Sequence, residues 1–249
     1  MFTNLENLDS ARHRNMRFKA VADCRFAASL ASAPLSATEV AQAARHYPLI
    51  FSTEGPLLPI ALFSLTDGAN AFVDAAGKWL APYVPAHVRR YPFILGDTGK
   101  QDNYAVMLAV DAPHFSDPRG EPLYGGDGEM SEVLSKAVGF LKLFQEEVTA
   151  TRKMVAPLAD SGVLTMQRIG LTRADGTSQS FDGFRAVDRE KLIALDDATL
   201  AAWVRSGLMA LVDAHVASLG NFNALAERQN PSEATRHYID SSSYPSSQH

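Results

Sequence analysis

The densest group of residues able to do chemistry is the run YVPAHVRRYPFIL at 83–95. It sets Tyr83, His87, Arg89, Arg90, Tyr91 and Phe93 beside two backbone-restricting prolines, Pro85 and Pro92. Guanidinium groups next to aromatic rings recognise carboxylates, phosphates or planar ligands, because arginine donates in pairs and its flat face stacks on π systems. The same composition also builds scaffold. Tyr91 and Phe93 would then fill a core, and an arginine would tie loop carbonyls or carboxylates. Trp79, just upstream, joins the aromatic cluster under either reading.

Three other groups are weaker. Asp111, His114 and Asp117 share a proline-rich loop, and all three types bind metals; two histidines and a carboxylate hold non-haem iron. The alternative is ordinary turn hydrogen bonding, and no H-E-x-x-H or paired-cysteine spacing occurs. Cys24 lies between Asp23 and Arg25 and would be reactive only if Arg25 and a histidine approached its sulfur; a buried structural thiol is the plainer reading. Gly125-Gly126-Asp127-Gly128 runs into a helix start, where free amides attract anions. Asp127 opposes an anion there, and a capped helix start is the simpler assignment. No G-x-S-x-G elbow is present, and no cofactor is identified.

The elements that must position these residues read as an α+β fold, a mostly antiparallel sheet packed with one long helix and a C-terminal helical region. Ser36 and Glu39 have capping-box spacing ahead of a short helix over about 37–46, stopped by Pro48. Short apolar runs at 49–52, 57–64, 71–74, 78–84, 93–95 and 104–111 predict strands. Their connections are too short for helical crossovers, hence antiparallel pairing. Asp74-Ala75-Ala76-Gly77 reads as a turn, and Pro59 points to an edge strand or bulge. Met130, Val133, Leu134, Ala137, Val138, Leu141, Phe144 and Val148 recur at helical spacing, predicting a helix over about 129–154 capped by Asp127. Strands follow at 163–169 and 183–188, with Asp175-Gly176 as a hairpin turn. Residues 195–229 read as helices capped by Asp196 or Asp197 and broken by Gly207 and Gly220.

Composition narrows the function classes. A chain of 249 residues with 46% hydrophobic and 20% charged residues is expected to form one domain over 1–229. The serine-rich stretch 230–249 has no apolar period and is expected to be a disordered tail. A net charge of −5 argues against a general nucleic-acid binder, which needs excess cations to release phosphate counterions. One cysteine forms no internal disulfide. The first twenty residues do not fit a secretory leader, and the apolar stretch 56–65 is broken by Pro59 and too short to span a bilayer. The expectation is a cytoplasmic protein without membrane insertion, with leaderless export to a surface left open.

The runs HYPLIFS and FVDAAGKWLAPYVPAHVRRYPFIL resemble the SapC family of bacterial proteins. So do the opening NLDSARHRNMRF, the segment PLSATEVAQAARHYPLIF, and the late GFRAVDREKLIAL and GLMALVDAHVASLGNFNALAERQ. The resemblance extends to about Arg228, with RRYPF its most specific part. It implies association with surface-layer proteins and genomic neighbours such as halogenase-like proteins, cupin-like oxygenases and outer-membrane receptors. It assigns no catalytic residue. His13, Trp79, Tyr83, Arg89, Arg90, Tyr91 and Phe93 match the family pattern and are thereby site candidates without roles. Three readings follow. The first is a non-catalytic accessory protein of a surface-layer, envelope or nutrient-uptake system, recognising a peptide or acidic small molecule with Arg89 and Arg90 between walls of Trp79, Tyr83 and Tyr91. The second is an enzyme, a metal-dependent oxygenase or peptide-modifying protein working with halogenase-like or cupin-like partners. The third is a structural surface-layer component, although no calcium loop or repeat is present.

Overall fold

The fold is that of a computed structural model, which describes residues 1–66, 68–97, 104–172, 178–229 and 236–240. In chain order the N-terminal part holds β1 (Leu5–Asn7), β2 (Arg17–Phe18), β3 (Ser32–Pro34), α1 (Ala37–Ala43), β4 (Leu49–Phe51) and β5 (Pro59–Leu62). Next come α2 (Ala86–Arg89), β6 (Phe93–Asp97), β7 (Tyr104–Ala109), β8 (Glu121–Pro122) and α3 (Glu132–Asp160). The chain continues through β9 (Leu164–Thr172), β10 (Ser178–Val187), α4 (Arg189–Ile193), α5 (Asp197–Ser206), α6 (Leu208–Ser218), α7 (Asn221–Gln229) and β11 (Arg236–Asp240).

The strands form three antiparallel sheets: six strands in the order β11-β9-β10-β4-β5-β3, three in the order β1-β7-β6, and the pair β2-β8. The six-stranded sheet carries the main core. Tyr47, Phe51, Phe63 and Phe72 are fully buried there, packed with Trp79, Trp203 and Phe222. Each such side chain stabilises the fold by about 1.5–3 kcal/mol relative to an exposed one. Phe93, Leu108 and Leu123 form a second core under the three-stranded sheet.

Helix α3 ties the two together. At 1.5 Å per residue its 29 residues run about 43 Å. Leu134, Val138 and Leu141 belong to the second core, Phe144 and Val148 to a small middle cluster with Leu58 and Ala86, and Val155 and Leu158 to the main core. The periodic stripe thus packs against three different partners along one helix. Met130 falls outside the helix and is half exposed. The helix is capped by Ser131, whose Oγ accepts the Leu134 amide, and it continues through Pro157 to Asp160. Asp127 accepts the Glu129 amide in the preceding turn instead of capping the helix.

The α+β class and its antiparallel sheets agree with the expectation; several details differ. The stretches 71–74 and 78–84 are not strands; they meet only at a single bridge, Val73 to Trp79, around the 74–77 turn. The Asp74 carboxylate holds that turn by accepting the amides of Ala76 and Lys78, and Gly77 has φ +83°. A Cβ on Gly77 would lie 2.1 Å from Asp23 Oδ1, so a larger residue there would be strained at this φ and would displace the Asp23 carboxylate. Pro59 begins an internal strand rather than an edge: β5 lies between β4 and β3, and the first position of a strand tolerates a missing amide. The short helix α2 was not foreseen. Within 230–249, Arg236–Asp240 pairs with β9 and supplies backbone partners to what would be an edge strand. The Asp175-Gly176 turn lies outside the described residues. Gly207, at φ +81°, separates α5 from α6 as expected, and Asp196 caps α5 through the Thr199 amide. No single described helix is long and apolar enough to cross a membrane.

Candidate functional site

Two flanking contacts place the 83–95 block. Trp79 Nε1 donates to the Tyr47 hydroxyl at 2.9 Å, and that hydroxyl donates to the Tyr83 carbonyl. The Tyr83 hydroxyl donates to Glu39 Oε1 at 2.6 Å. Tyr83 is therefore fixed at both ends, and burial together with Glu39 raises its phenol above the usual range. Glu39 is 5% exposed. Its Oε2 accepts the Ser36 amide at 3.0 Å, the reciprocal bond of a capping box. Its Oε1 also accepts the amide of Ala86, the first residue of α2, at 2.7 Å. One carboxylate thus serves the start of α1 and the start of α2. Both of its oxygens are satisfied, as a buried carboxylate requires.

Helix α2 presents the two arginines differently. Arg89 is exposed; its guanidinium carbon lies 5.2 Å from the Phe140 ring and 6.0 Å from the Tyr83 ring, and its Nε donates to the Val84 carbonyl at 2.9 Å. Arg90 lies 5.2 Å from both Phe144 and Phe2. Phe140 and Phe144 are one turn apart on α3, so adjacent arginines meet adjacent aromatics. Arg90 Nη2 also approaches His87 Nδ1 at 3.1 Å. A guanidinium has donors only, so Nδ1 accepts and His87 is neutral. Burial, and then the Arg90 charge, push His87 down to about 3.

Among the described residues no carboxylate lies within ion-pair distance of Arg90. Burial alone lowers its guanidinium to about 10. This is a largely desolvated cation compensated by two aromatic faces, a histidine nitrogen and the His87 carbonyl. Such faces supply about 0.5–2 kcal/mol each, less than a buried unpaired charge costs.

Phe2 also touches Tyr91, with ring centroids 5.6 Å apart. Tyr91 stacks on Phe26 at 4.1 Å and 9°, and follows Arg90 into a cis Tyr91–Pro92 peptide. Tyr91 and Phe26 line a cavity of about 400 Å³ together with Thr3, Asp23, Arg25 and Pro113. Burial raises the Tyr91 phenol, and Asp111 adds to the shift. Arginine and tyrosine of the RRYPF block therefore sit either side of one residue, Phe2, next to an open cavity.

The other candidates lie elsewhere. Trp79 is only 8% exposed and packs edge-on to Phe63 at 5.3 Å in the main core. Phe93 is buried in the second core. His13 is buried, accepts the Asp9 amide on Nδ1 at 3.0 Å and meets Glu6 through Nε2 at 3.3 Å, while Asp9 caps the same turn through the amides of Ala11 and Arg12. Those contacts close a local turn.

Asp111, His114 and Asp117 are not gathered around a point, and no group of three metal-ligating side chains is placed to hold an ion among the described residues. Asp111 accepts from Asn4 Nδ2 at 2.7 Å. Asp117 pairs with Lys19 and Arg119, which hold its carboxyl well below the usual range. His114 packs among Phe18, Phe26 and Tyr91 with Nδ1 unpartnered. Cys24 is half-buried, and burial raises its thiol, the opposite of nucleophile activation. Gly125 to Gly128 form a turn closed by Asp127. Sequence reasoning missed Glu39 as an organiser of the block and Phe2, Phe140 and Phe144 as its walls; the capping-box spacing was the only signal toward Glu39.

Comparison with known proteins gives one finding: a family model described as SapC matches residues 8–225. No curated protein and no solved structure is significantly similar to the chain.

Proposed function

The chain belongs to the SapC family, and from that premise we propose that it is a non-catalytic accessory protein of a bacterial surface-layer, envelope or nutrient-uptake system. It binds an acidic peptide or another small carboxylate at the Arg90–Tyr91 face of the RRYPF block. The observation that carries this reading is Arg90, a mostly buried guanidinium with no carboxylate partner among the described residues. An incoming carboxylate would complete its charge balance through the donors left over from His87. Tyr91, Phe26 and Phe2 supply apolar surface next to it, as binding pockets do around a few polar groups. Exposed Arg89 adds attraction at longer range. Trp79, Phe93 and His13 serve the scaffold in this reading.

The test is a titration of the full chain with an acetylated triglutamate peptide, followed by calorimetry or fluorescence. Saturable binding that is lost in Arg90→Met and only weakened in Arg89→Ala supports the reading. An absence of binding to the parent chain, or equal binding to all three proteins, contradicts it.

A further inference from the structure

A second cavity, of about 380 Å³, lies between α6 and the strands β9 and β10. Its floor is apolar: Ile169, Phe184 and Ala186 come from the two strands and are almost wholly buried. Val216 of α6 and Leu219 just after it form the helical side. That side is pinned to the sheet by the residue before each of them. His215 Nε2 accepts the Val187 amide at 3.1 Å, and Ser218 Oγ accepts the Leu49 amide at 3.0 Å. Those two amides stand where the β10–β4 ladder would continue past its single pair, Arg185 with Phe51. Side chains of α6 thus take the place of a rung, and they fix the cavity wall.

The rim is charged. Asp188, Arg189 and Glu190 line the cavity beside α4. Asp188 Oδ1 accepts the amides of Glu190 and Lys191. Arg189 and Glu190 are exposed, and their side chains make no hydrogen bond or ion pair among the described residues, not even with each other. Two opposite charges therefore stand free beside one apolar cavity.

We propose that this cavity binds a free amino acid with an apolar side chain. The side chain lies against Phe184 and Leu219, the carboxylate pairs with Arg189, and the ammonium pairs with Glu190 and Asp188. A ligand with a single charge would bring it against a rim group of its own sign, and a neutral ligand would use neither. The volume is in the range of small-ligand pockets, which combine apolar walls with a few polar groups. None of the residues lining this cavity belongs to the Arg90–Tyr91 site.

The probes are L-phenylalanine, glycine, phenylalaninamide, which lacks the carboxylate, and N-acetylphenylalanine, which lacks the ammonium. Binding to the full chain is followed by ligand-observed NMR. Phenylalanine should saturate the chain and bind about two- to fivefold more tightly than either blocked form, the factor an exposed ion pair gives. Glycine should not bind, because it carries both charges but no side chain to bury. Arg189→Gln should remove the advantage over phenylalaninamide, and Glu190→Gln should narrow the advantage over N-acetylphenylalanine. Both positions are exposed, so neither variant threatens the fold. No saturation by phenylalanine, equal binding of a blocked form by the parent chain, glycine binding as tightly as phenylalanine, or an advantage left intact in the variant that removes its partner would overturn the assignment.

Discussion

The carboxylate of Glu39 accepts the backbone amide of Ala86 at 2.7 Å across 47 residues of sequence. This bond joins the first turn of α1 to the first turn of α2, and α2 carries the two arginines. The same oxygen receives the Tyr83 hydroxyl at 2.6 Å. The orientation of the RRYPF block therefore depends on a residue that never touches either guanidinium in a hydrogen bond or ion pair.

Glu39→Ala leaves the Tyr83 hydroxyl and the amides of Ala86 and Ser36 without acceptors. We expect a loss of about 3 kcal/mol or more in urea unfolding, given the cost of several buried unsatisfied groups. Tyr83→Phe removes one donor and should cost about 1–2 kcal/mol. The double variant should lose less than the sum, because the two share a bond. Additive losses would show that the two residues act independently.

Much of this architecture is legible in sequence, and what is missed has a physical pattern. The Ser36–Glu39 spacing forecast a helix start correctly, because a capping box is a local device. The second task of Glu39 depends on where Ala86 arrives, and no local pattern encodes that. Trp79 was expected to wall a ligand site because an indole has the right chemistry; it instead donates to Tyr47 inside the core, and residue type alone does not separate the two uses. Arg89 and Arg90 are equivalent as letters. A step of one residue around a helix turns the side chain by about 100°, sending one to Phe140 and solvent and the other to Phe144 and Phe2. The strands expected at 71–74 and 78–84 reduce to one antiparallel bridge, Val73 to Trp79, with Leu80 N–H donating to the Phe72 carbonyl around the turn that Asp74 holds.

Three histidines whose imidazoles are held neutral by desolvation give stability a defined pH dependence. Burial lowers His87 to about 3, and His114 and His215 to about 4, from an ordinary 6.5. The unfolded chain binds these protons first, so unfolding takes up protons between about pH 6.5 and 4 and stability falls as the medium is acidified. Their contribution is fully present above pH 6.5. Urea midpoints at pH 7, 6 and 5 should decline steadily, with proton uptake rising toward three per molecule. A flat profile over that window would rule out neutral histidines in the fold.

His114 is the residue on which the metal reading can be tested. Its Nδ1 is buried without a partner amid Phe18, Phe26 and Tyr91. His114→Phe keeps a ring in that cage and removes the orphan atom, so the variant should be as stable as the parent or more so. It should also lower the acid-linked proton uptake by about one. Marked destabilisation, or loss of a bound metal on elemental analysis, would restore a ligating role.

The most direct test of the central claim is the stability of Arg90→Met in urea, with and without the triglutamate peptide. Methionine keeps an unbranched stem between Phe2 and Phe144 and removes the charge. If Arg90 is retained for a carboxylate ligand, the variant should be at least as stable as the parent, because an unpaired buried cation is gone, and it should lose the stabilisation that the peptide gives the parent. A variant destabilised by more than about 2 kcal/mol, the range of a lost structural contact, or one still stabilised by the peptide, would contradict the account.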